Sequence, residues 1–164
     1  MFSTKSKHLL SSPERIEKIS NVVQLYDYAE QQGYDIYWYD FGPGGIDSLS
    51  VMELSDGKCY IGLDPFKFES DADELVKGLH ELGHCDTGSF YNEYAAMDIR
   101  QKHENRADKR AIELHISEED LDNAVADGHT ELWDLADYFG VTIPFMKKAI
   151  CWYTHGNLAT ELYF

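Results

Sequence analysis

The sequence predicts an α+β fold, with an N-terminal helix, then a small antiparallel sheet of about three strands, then a helical bundle. Helical spacing of apolar residues over residues 12–32 predicts the helix, and short runs rich in Tyr, Ile and Val over residues 35–63 predict the strands. From residue 70 onward the helical spacing returns. A length of 164 residues suits one compact domain, so we expect residues 1–164 to form a single domain.

The first predicted helix covers residues 12–32. Ser12 suits its N-cap and Pro13 its first helical position. Ser11 would instead begin an S-x-x-E capping box with Glu14, so the sequence leaves two adjacent N-cap positions for this helix. Gly33 suits the C-terminal end of this helix.

Three short runs over residues 35–40, 48–54 and 58–63 have the composition of strands. The last two are separated by a turn that contains Asp56 and Gly57, which is typical of a β-hairpin.

The C-terminal half is predicted to be helical. Ser70 and Asp73 form an S-x-x-D start signal for a helix that runs to about Cys85. Further helices are expected at about residues 103–115, after Ser117, at about 130–139 and at about 144–153.

Residues 117–153 form a helical C-terminal subregion whose spacing resembles a helix-turn-helix. A helix that reads DNA presents several basic and amide side chains, whereas residues 144–153 contain only Lys147 and Lys148 as basic residues. We therefore interpret this subregion as scaffold.

The chain is strongly acidic, with 30 acidic and 14 basic residues and a formal net charge of −16. This charge repels phosphate backbones, so direct nucleic-acid binding is not expected, and it favours cations and basic partners. The alternative is that the acidity only keeps the chain in solution. No apolar stretch approaches the roughly 18 residues of a membrane span, and the N-terminus has no secretory signal core. We therefore expect a cytoplasmic protein that does not enter the membrane.

The three cysteines, Cys59, Cys85 and Cys151, are an odd number with no close pairing, so no disulfide framework is expected. Cys85 directly follows His84 and could ligate a metal as a thiolate. A small buried apolar role is the favoured interpretation of Cys85.

Residues 80–84 read HELGH and predict a metal site. His80 and His84, four residues apart on a helix, lie on one face and can hold one ion. Glu81 points beside the ion and can accept a proton from a metal-bound water. Gly83 leaves room for another group to approach this helix closely. The alternative is a pair of core histidines, which would need two polar partners in one apolar layer.

A catalytic zinc usually has three protein ligands and a water. The downstream candidates for the third ligand are Asp86, Glu93, Asp98, His103, Glu104 and Asp108. Glu104 and Asp108 share the apolar face of their predicted helix, where unpaired carboxylates would be expensive to bury. Glu104 as ligand and Asp108 as acceptor for the other N–H of a ligating histidine would explain both. Glu104 as a helix N-terminal acid is the alternative, and His103 is the weaker ligand candidate.

HELGH followed 20 residues after His84 by Glu104, in an E-x-x-x-D pattern, is similar to gluzincin-type zinc metallopeptidases. The runs KCYIGLDP, LVKGLHELGH, ENRADKRAIEL and LWDLADYFGVTIPFMKKAI more closely resemble the ImmA/IrrE group of bacterial and phage metallopeptidases. The resemblance covers about residues 20–150. Lys109-Arg110 and His115-Ile116 depart from the pattern of the group without touching the metal residues.

The resemblance implies a zinc-dependent endopeptidase of a bacterial chromosome or mobile element, whose substrate is a DNA-binding repressor. It implies His80, His84 and Glu104 as ligands of Zn²⁺ and Glu81 as the base, although another divalent metal is possible. Besides the metal ion, a hydrogen-bond donor is expected for the oxyanion that forms on the scissile carbonyl group.

Candidates for that donor are Tyr91, Tyr94 and His129, and the sequence does not choose among them. The competing interpretation is a non-enzymatic regulatory or interaction module with a structural or inactive metal site. A structural zinc usually has four protein ligands, so Cys85 or His103 would have to complete the set. A third reading is an antitoxin-like role that involves tight binding without proteolysis.

Overall fold

The structure is a computed structural model that describes residues 14–164, and it has the predicted α+β class. Within these residues the elements are, in order, α1 (Val22–Gln32), β1 (Asp35–Trp38), β2 (Ser48–Met52), β3 (Cys59–Leu63), α2 (Asp71–Thr87), α3 (Met97–His115), α4 (Glu118–Ala126), α5 (Leu132–Phe139) and α6 (Ile143–His155), with short 3-10 turns at Pro65–Lys67 and Thr160–Leu162. No helix in this part of the chain is long and apolar enough to cross a membrane.

Helix α1 is shorter than predicted. It begins at Val22, because the side chain of Asn21 accepts a hydrogen bond from the backbone N–H of Gln24 at 3.0 Å and so caps the helix. Residues 14–21 are not helical, and the backbone N–H of Ile19 donates to the carbonyl of Leu114 on α3. The predicted cap residues Ser11, Ser12 and Pro13 lie outside the described residues. The predicted end is confirmed, since Gly33 adopts a left-handed conformation with φ 76°.

The sheet is mixed, with strand order β1-β3-β2. The predicted hairpin is confirmed, since β2 and β3 are antiparallel and Gly57 has φ 69° in the turn between them. The expectation of a wholly antiparallel sheet is wrong, because β1 runs parallel to β3. Residues 39–47 carry the chain from one edge of the sheet to the other, so β3 enters between the two earlier strands. Strand β2 is consequently an edge strand.

Helices α2 and α3 are in unusually close contact at one glycine. A Cβ atom at Gly83 would overlap the carbonyl oxygen of Ala107 and lie 2.8 Å from its carbonyl carbon. The group that approaches the helix closely at Gly83 is therefore the backbone of α3. Farther back along α2, a Cβ at Gly78 would instead lie 2.7 Å from a terminal methyl of Leu25 on α1.

Local capping residues set the starts of helices α2 and α4 but not that of α3. Ser70 caps α2 by accepting from the backbone N–H of Asp73, as predicted. Ser117 and Asp120 form a complete capping box at the start of α4. The predicted start of α3 near residue 103 is wrong, because the helix extends back to Met97 without a side-chain cap.

Cys59 and Cys85 form a disulfide that joins β3 to α2, so the expectation that the cysteines are unpaired is wrong. The two residues are 26 positions apart, but sheet and helix pack with their Cα atoms 5.8 Å apart. Cys85 is therefore not available as a metal ligand. Cys151 is buried with a free thiol.

Both lysines of α6, which were considered as DNA-binding residues, make contacts within the chain. Lys148 donates to Asp108 on α3 at 2.6 Å, and the Lys147 ammonium lies 5.4 Å from the centroid of the Phe164 ring. These contacts are in line with the interpretation of α5 and α6 as scaffold.

Candidate metal centre

The predicted ligand triad is assembled by α2 and α3. His80 and His84 stand one turn apart on α2, and Glu104 faces them from α3. The two Nε2 atoms are 3.1 Å apart, and the Glu104 carboxylate oxygens lie 3.0 Å from Nε2 of His80 and 3.4 Å from Nε2 of His84. One potential ligand atom from each residue thus converges on a single point.

Both imidazole rings are oriented through their other nitrogen. Nδ1 of His80 lies 2.8 Å from Oδ1 of Asp108, as predicted for Asp108. Nδ1 of His84 lies 2.6 Å from the backbone carbonyl oxygen of Ser89. Carboxylate and carbonyl oxygens only accept, so in the neutral form of each ring Nδ1 carries the proton and Nε2 presents its lone pair to the centre.

This donor set fits a divalent metal ion. Two imidazole lone pairs and a carboxylate placed 3.0 to 3.4 Å from each other repel unless positive charge lies among them, either as a proton on an imidazole or as a metal ion. Two histidines and one glutamate are the protein ligands of a catalytic zinc that keeps a fourth position open. The residues present therefore suit zinc without any further ligand.

The electrostatics of the centre favour positive charge. Burial by itself lowers the pKa of His80, but hydrogen bonds to Asp108 and Glu104 outweigh burial and raise it to about 10. Hydrogen bonds from His80 and His84 hold the pKa of Glu104 far below its usual range. Burial raises the pKa of Asp108, but His80 and Lys148 lower it by more, so its carboxyl stays ionised. The same fields that retain a proton on His80 attract a metal ion in its place.

Glu81 directly follows His80 on α2 and lies beside the ligand cluster. Its buried carboxylate accepts a hydrogen bond from the hydroxyl of Ser48 at 2.6 Å. Ser48 is the first residue of edge strand β2. A residue of the sheet therefore orients the Glu81 carboxylate, which is not part of the group of potential metal-ligand atoms.

The cluster opens into a cleft of about 500 Å³ between β2, α2 and the segment that precedes α3. Its lining includes Asp47, Ser48, Lys77, Glu81, Phe90 and Tyr91 besides the three ligand residues. The hydroxyl of Tyr91 donates to Oε1 of Glu104 at 2.6 Å, and this bond raises the pKa of Tyr91 to about 12. Tyr91 therefore keeps its proton at neutral pH and can act as a donor in the cleft.

The other candidate oxyanion donors lie elsewhere. Tyr94 is 87 % exposed, and Nδ1 of His129 lies 2.9 Å from Asp134 on α5. Neither residue lines the cleft. Of the three candidates, only Tyr91 is in position.

The remaining ligand candidates are also outside the cluster. Asp86 accepts hydrogen bonds from Tyr28, Tyr34 and Arg110 in a network that joins α1, α2 and α3. Nδ1 of His103 is buried with no hydrogen-bond partner within residues 14–164, and its ring packs 6.1 Å from that of Tyr91.

Three contributors to the site were not found from the sequence. They are Ser48, the backbone carbonyl of Ser89, and Lys148. Ser48 and Lys148 lie 33 and 40 residues from their partners Glu81 and Asp108. No local spacing links residues so far apart, and a backbone carbonyl has no sequence signal at all.

Comparison with models of known protein families, with characterised proteins and with solved structures finds no match for this chain.

Proposed function

We propose that this chain is a zinc-dependent endopeptidase, with His80, His84 and Glu104 as metal ligands and Glu81 as the catalytic base. The convergence of the three ligand atoms, each imidazole fixed through Nδ1, is the observation that carries the proposal. The position of Glu81, beside the ligands and on the same cleft, supports a catalytic role for the ion.

His80, His84 and Glu104 would hold a divalent ion, which would supply Lewis-acid activation of a water molecule and of the scissile carbonyl group. Glu81 would take a proton from the water as the water oxygen adds to the carbonyl carbon, and would deliver that proton to the amine nitrogen as the C–N bond breaks. The Ser48 hydroxyl holds the Glu81 carboxylate in one orientation, which reduces the entropy lost on reaction. The Tyr91 hydroxyl would turn from Glu104 to donate to the oxygen that gains negative charge.

Edge strand β2 gives the cleft a way to bind an extended peptide. Among residues 14–164 its hydrogen-bonded neighbour in the sheet is β3 alone, and its residues from Ser48 to Ser50 line the cleft. A substrate segment can add to the free edge by backbone hydrogen bonds, which do not depend on sequence. This mode of binding brings a peptide bond past Glu81 and the metal ligands.

A basic protein is the substrate class that the charge supports. The net charge of −16 attracts cationic segments. The resemblance of the motifs to the ImmA/IrrE group leads us to propose a DNA-binding, repressor-type protein in a bacterial or phage context. Such a substrate would place the reaction in the cytoplasm.

The test is cleavage of a random peptide mixture by the full chain loaded with zinc, with and without a chelator, with mass spectrometry of the products. Cleavage that disappears with chelator and returns with zinc is the expected result. Stoichiometric metal binding without any cleavage would instead favour the non-enzymatic module. Neither residue named as a fourth ligand for a structural metal site is in position, since Cys85 is in a disulfide and His103 is outside the cluster.

A further inference from the structure

The face of the sheet opposite the helices carries apolar and aromatic side chains. This outer sheet face consists of Tyr37, Tyr39, Phe41, Leu49, Val51 and Tyr60, which surround a shallow depression of about 290 Å³. The strand register places Tyr37 and Leu49 on either side of Gly62. Tyr37, Tyr39, Leu49 and Val51 are 57, 62, 43 and 46 % exposed. Contiguous apolar surface of this kind is typical of a site of interaction.

The outer sheet face is already arranged for contact, because its rings pack on each other. The rings of Tyr37 and Tyr60 are stacked with centroids 6.2 Å apart, and those of Tyr39 and Phe41 lie 5.1 Å apart. Phe41 packs directly over Gly62, where a Cβ atom would lie 3.1 Å from the end of its ring. Little side-chain entropy remains to be lost when a partner binds.

The outer sheet face is continuous with the metal cleft through strand β2. Leu49 borders both the cleft and the depression. Side chains alternate along a strand, so Ser48 faces the cleft while Leu49 and Val51 face outward. A peptide added to the free edge of β2 would likewise present alternate side chains to the two sides.

The border of the outer sheet face is acidic. Asp35 lies opposite Tyr60 in the register, Asp56 accepts from the Tyr60 hydroxyl at 2.9 Å, and Glu53 follows β2. The cation at this border is Lys58, which pairs with Asp35 at 2.7 Å. Carboxylates and tyrosine rings both attract lysine and arginine side chains. The same acidity opposes a second copy of this chain and an anionic lipid surface.

We infer that the outer sheet face and the free edge of β2 together bind an extended segment of a protein partner that has apolar residues at every second position and an excess of lysine and arginine. The inference rests on the proposed function in taking this segment to be part of the substrate, on one side of the scissile bond. It adds a recognition surface outside the metal cleft.

The test is a displayed library of random dodecapeptides, selected for binding to the full Glu81→Gln chain loaded with zinc. The selected peptides are expected to have alternating apolar residues and an excess of lysine and arginine. Their affinity, measured with synthetic peptides, is expected to fall about tenfold or more in a Tyr37→Thr/Leu49→Thr/Val51→Thr variant. Threonine retains strand propensity at these exposed positions, so the fold should be kept.

Two further variants make the test independent of folding. Glu53→Lys, a single exposed change, should weaken binding of basic peptides severalfold and do so less at high salt. Trp133→Ala removes a comparably exposed aromatic side chain from α5 and should leave affinity unchanged.

Several outcomes would overturn the inference. They are full affinity in the triple variant, selected peptides without basic residues, and a concentration-dependent dimer that the triple variant abolishes. Its failure is separable from that of the proposed function, because cleavage is measured apart from binding. Peptides that bind the outer sheet face but are never cut would contradict the peptidase and leave the surface in place.

Discussion

Asp108 on α3 is hydrogen-bonded to His80 on α2, with Oδ1 of the carboxylate 2.8 Å from Nδ1 of the imidazole. The other oxygen of Asp108 accepts from the ammonium of Lys148 on α6 at 2.6 Å. One carboxylate on α3 thus joins α2 and α6 at a candidate metal ligand. The orientation of His80 therefore depends on tertiary packing and not on α2 alone.

Replacing Asp108 by alanine should weaken zinc binding by about 10- to 100-fold, because His80 loses the acceptor that fixes its tautomer and the Lys148 ammonium loses its partner. Competition with a chromophoric chelator measures this affinity. Asp98→Ala, an exposed change in the first turn of the same helix, is the matched control and should bind zinc normally. Equal affinities in the two variants would contradict the role given to Asp108.

Replacing Glu81 by glutamine should lower cleavage by about 10²- to 10⁴-fold and leave zinc binding intact, because the amide cannot accept the proton while the ligands are unchanged. The measurements are metal content after dialysis and the initial rate on a cleaved peptide. Glu119→Gln on α4 changes an exposed glutamate that does not line the cleft, and it serves as the control. An active Glu81→Gln chain would exclude this residue as the base.

Gly83→Ala should destabilise the fold by about 3 kcal/mol or more and weaken zinc binding, because the added methyl meets rigid backbone at Ala107 and pushes α3, with Glu104, away from α2. Gly78→Ala on the same helix meets only the movable end of the Leu25 side chain. Its cost should be about 1 kcal/mol or less, since alanine favours the helix, and its zinc affinity should be normal. Denaturant unfolding and chelator competition compare the pair, and identical behaviour would contradict the close contact at Gly83.

Titration of the unfolded chain with a thiol reagent should find one reactive thiol before reduction and three after it, since Cys59 and Cys85 are joined and Cys151 is free. Reduction should lower the free energy of unfolding by about 3 to 4 kcal/mol, because the bond closes a loop in the unfolded chain. Three reactive thiols in the unreduced protein would contradict the disulfide. Such bonds are rare in the cytoplasm, so the count also tests that location.

The capping box of α4 should give a pH-dependent contribution to stability. Burial raises the pKa of Asp120, but hydrogen bonds from Lys18 and Ser117 outweigh burial and lower it to about 2. A carboxyl with a lowered pKa stabilises the fold above its unfolded value and loses that contribution as the pH falls through the folded value.

The difference in unfolding free energy between the unaltered chain and Asp120→Asn should therefore be about 1 kcal/mol near pH 6 and disappear as the pH falls toward 2. Urea unfolding of both chains across this pH range measures it. Asp122→Asn, two residues along the same helix, is the control, and a difference that does not vary with pH would contradict the assignment.

The candidate metal ligands on α2 could be predicted because their relationship is local. His80 and His84 are one helical turn apart whatever surrounds them, and Ser70 can cap this helix from its own sequence position. Glu104 and Asp108 could be associated with the site because an apolar helix face gives carboxylates no other partner. These inferences need only helix geometry and the cost of burying charge.

The parallel pairing of β1 with β3, the disulfide and the Ser48–Glu81 hydrogen bond were decided by the tertiary structure. Each depends on which elements become neighbours after the chain has crossed the sheet, and no local periodicity records that choice. The sequence by itself thus determined the helix that carries the two candidate histidine ligands and their spacing on it. Packing, through the absence of a side chain at Gly83 and the edge position of β2, decided how the ligands meet and which strand borders them.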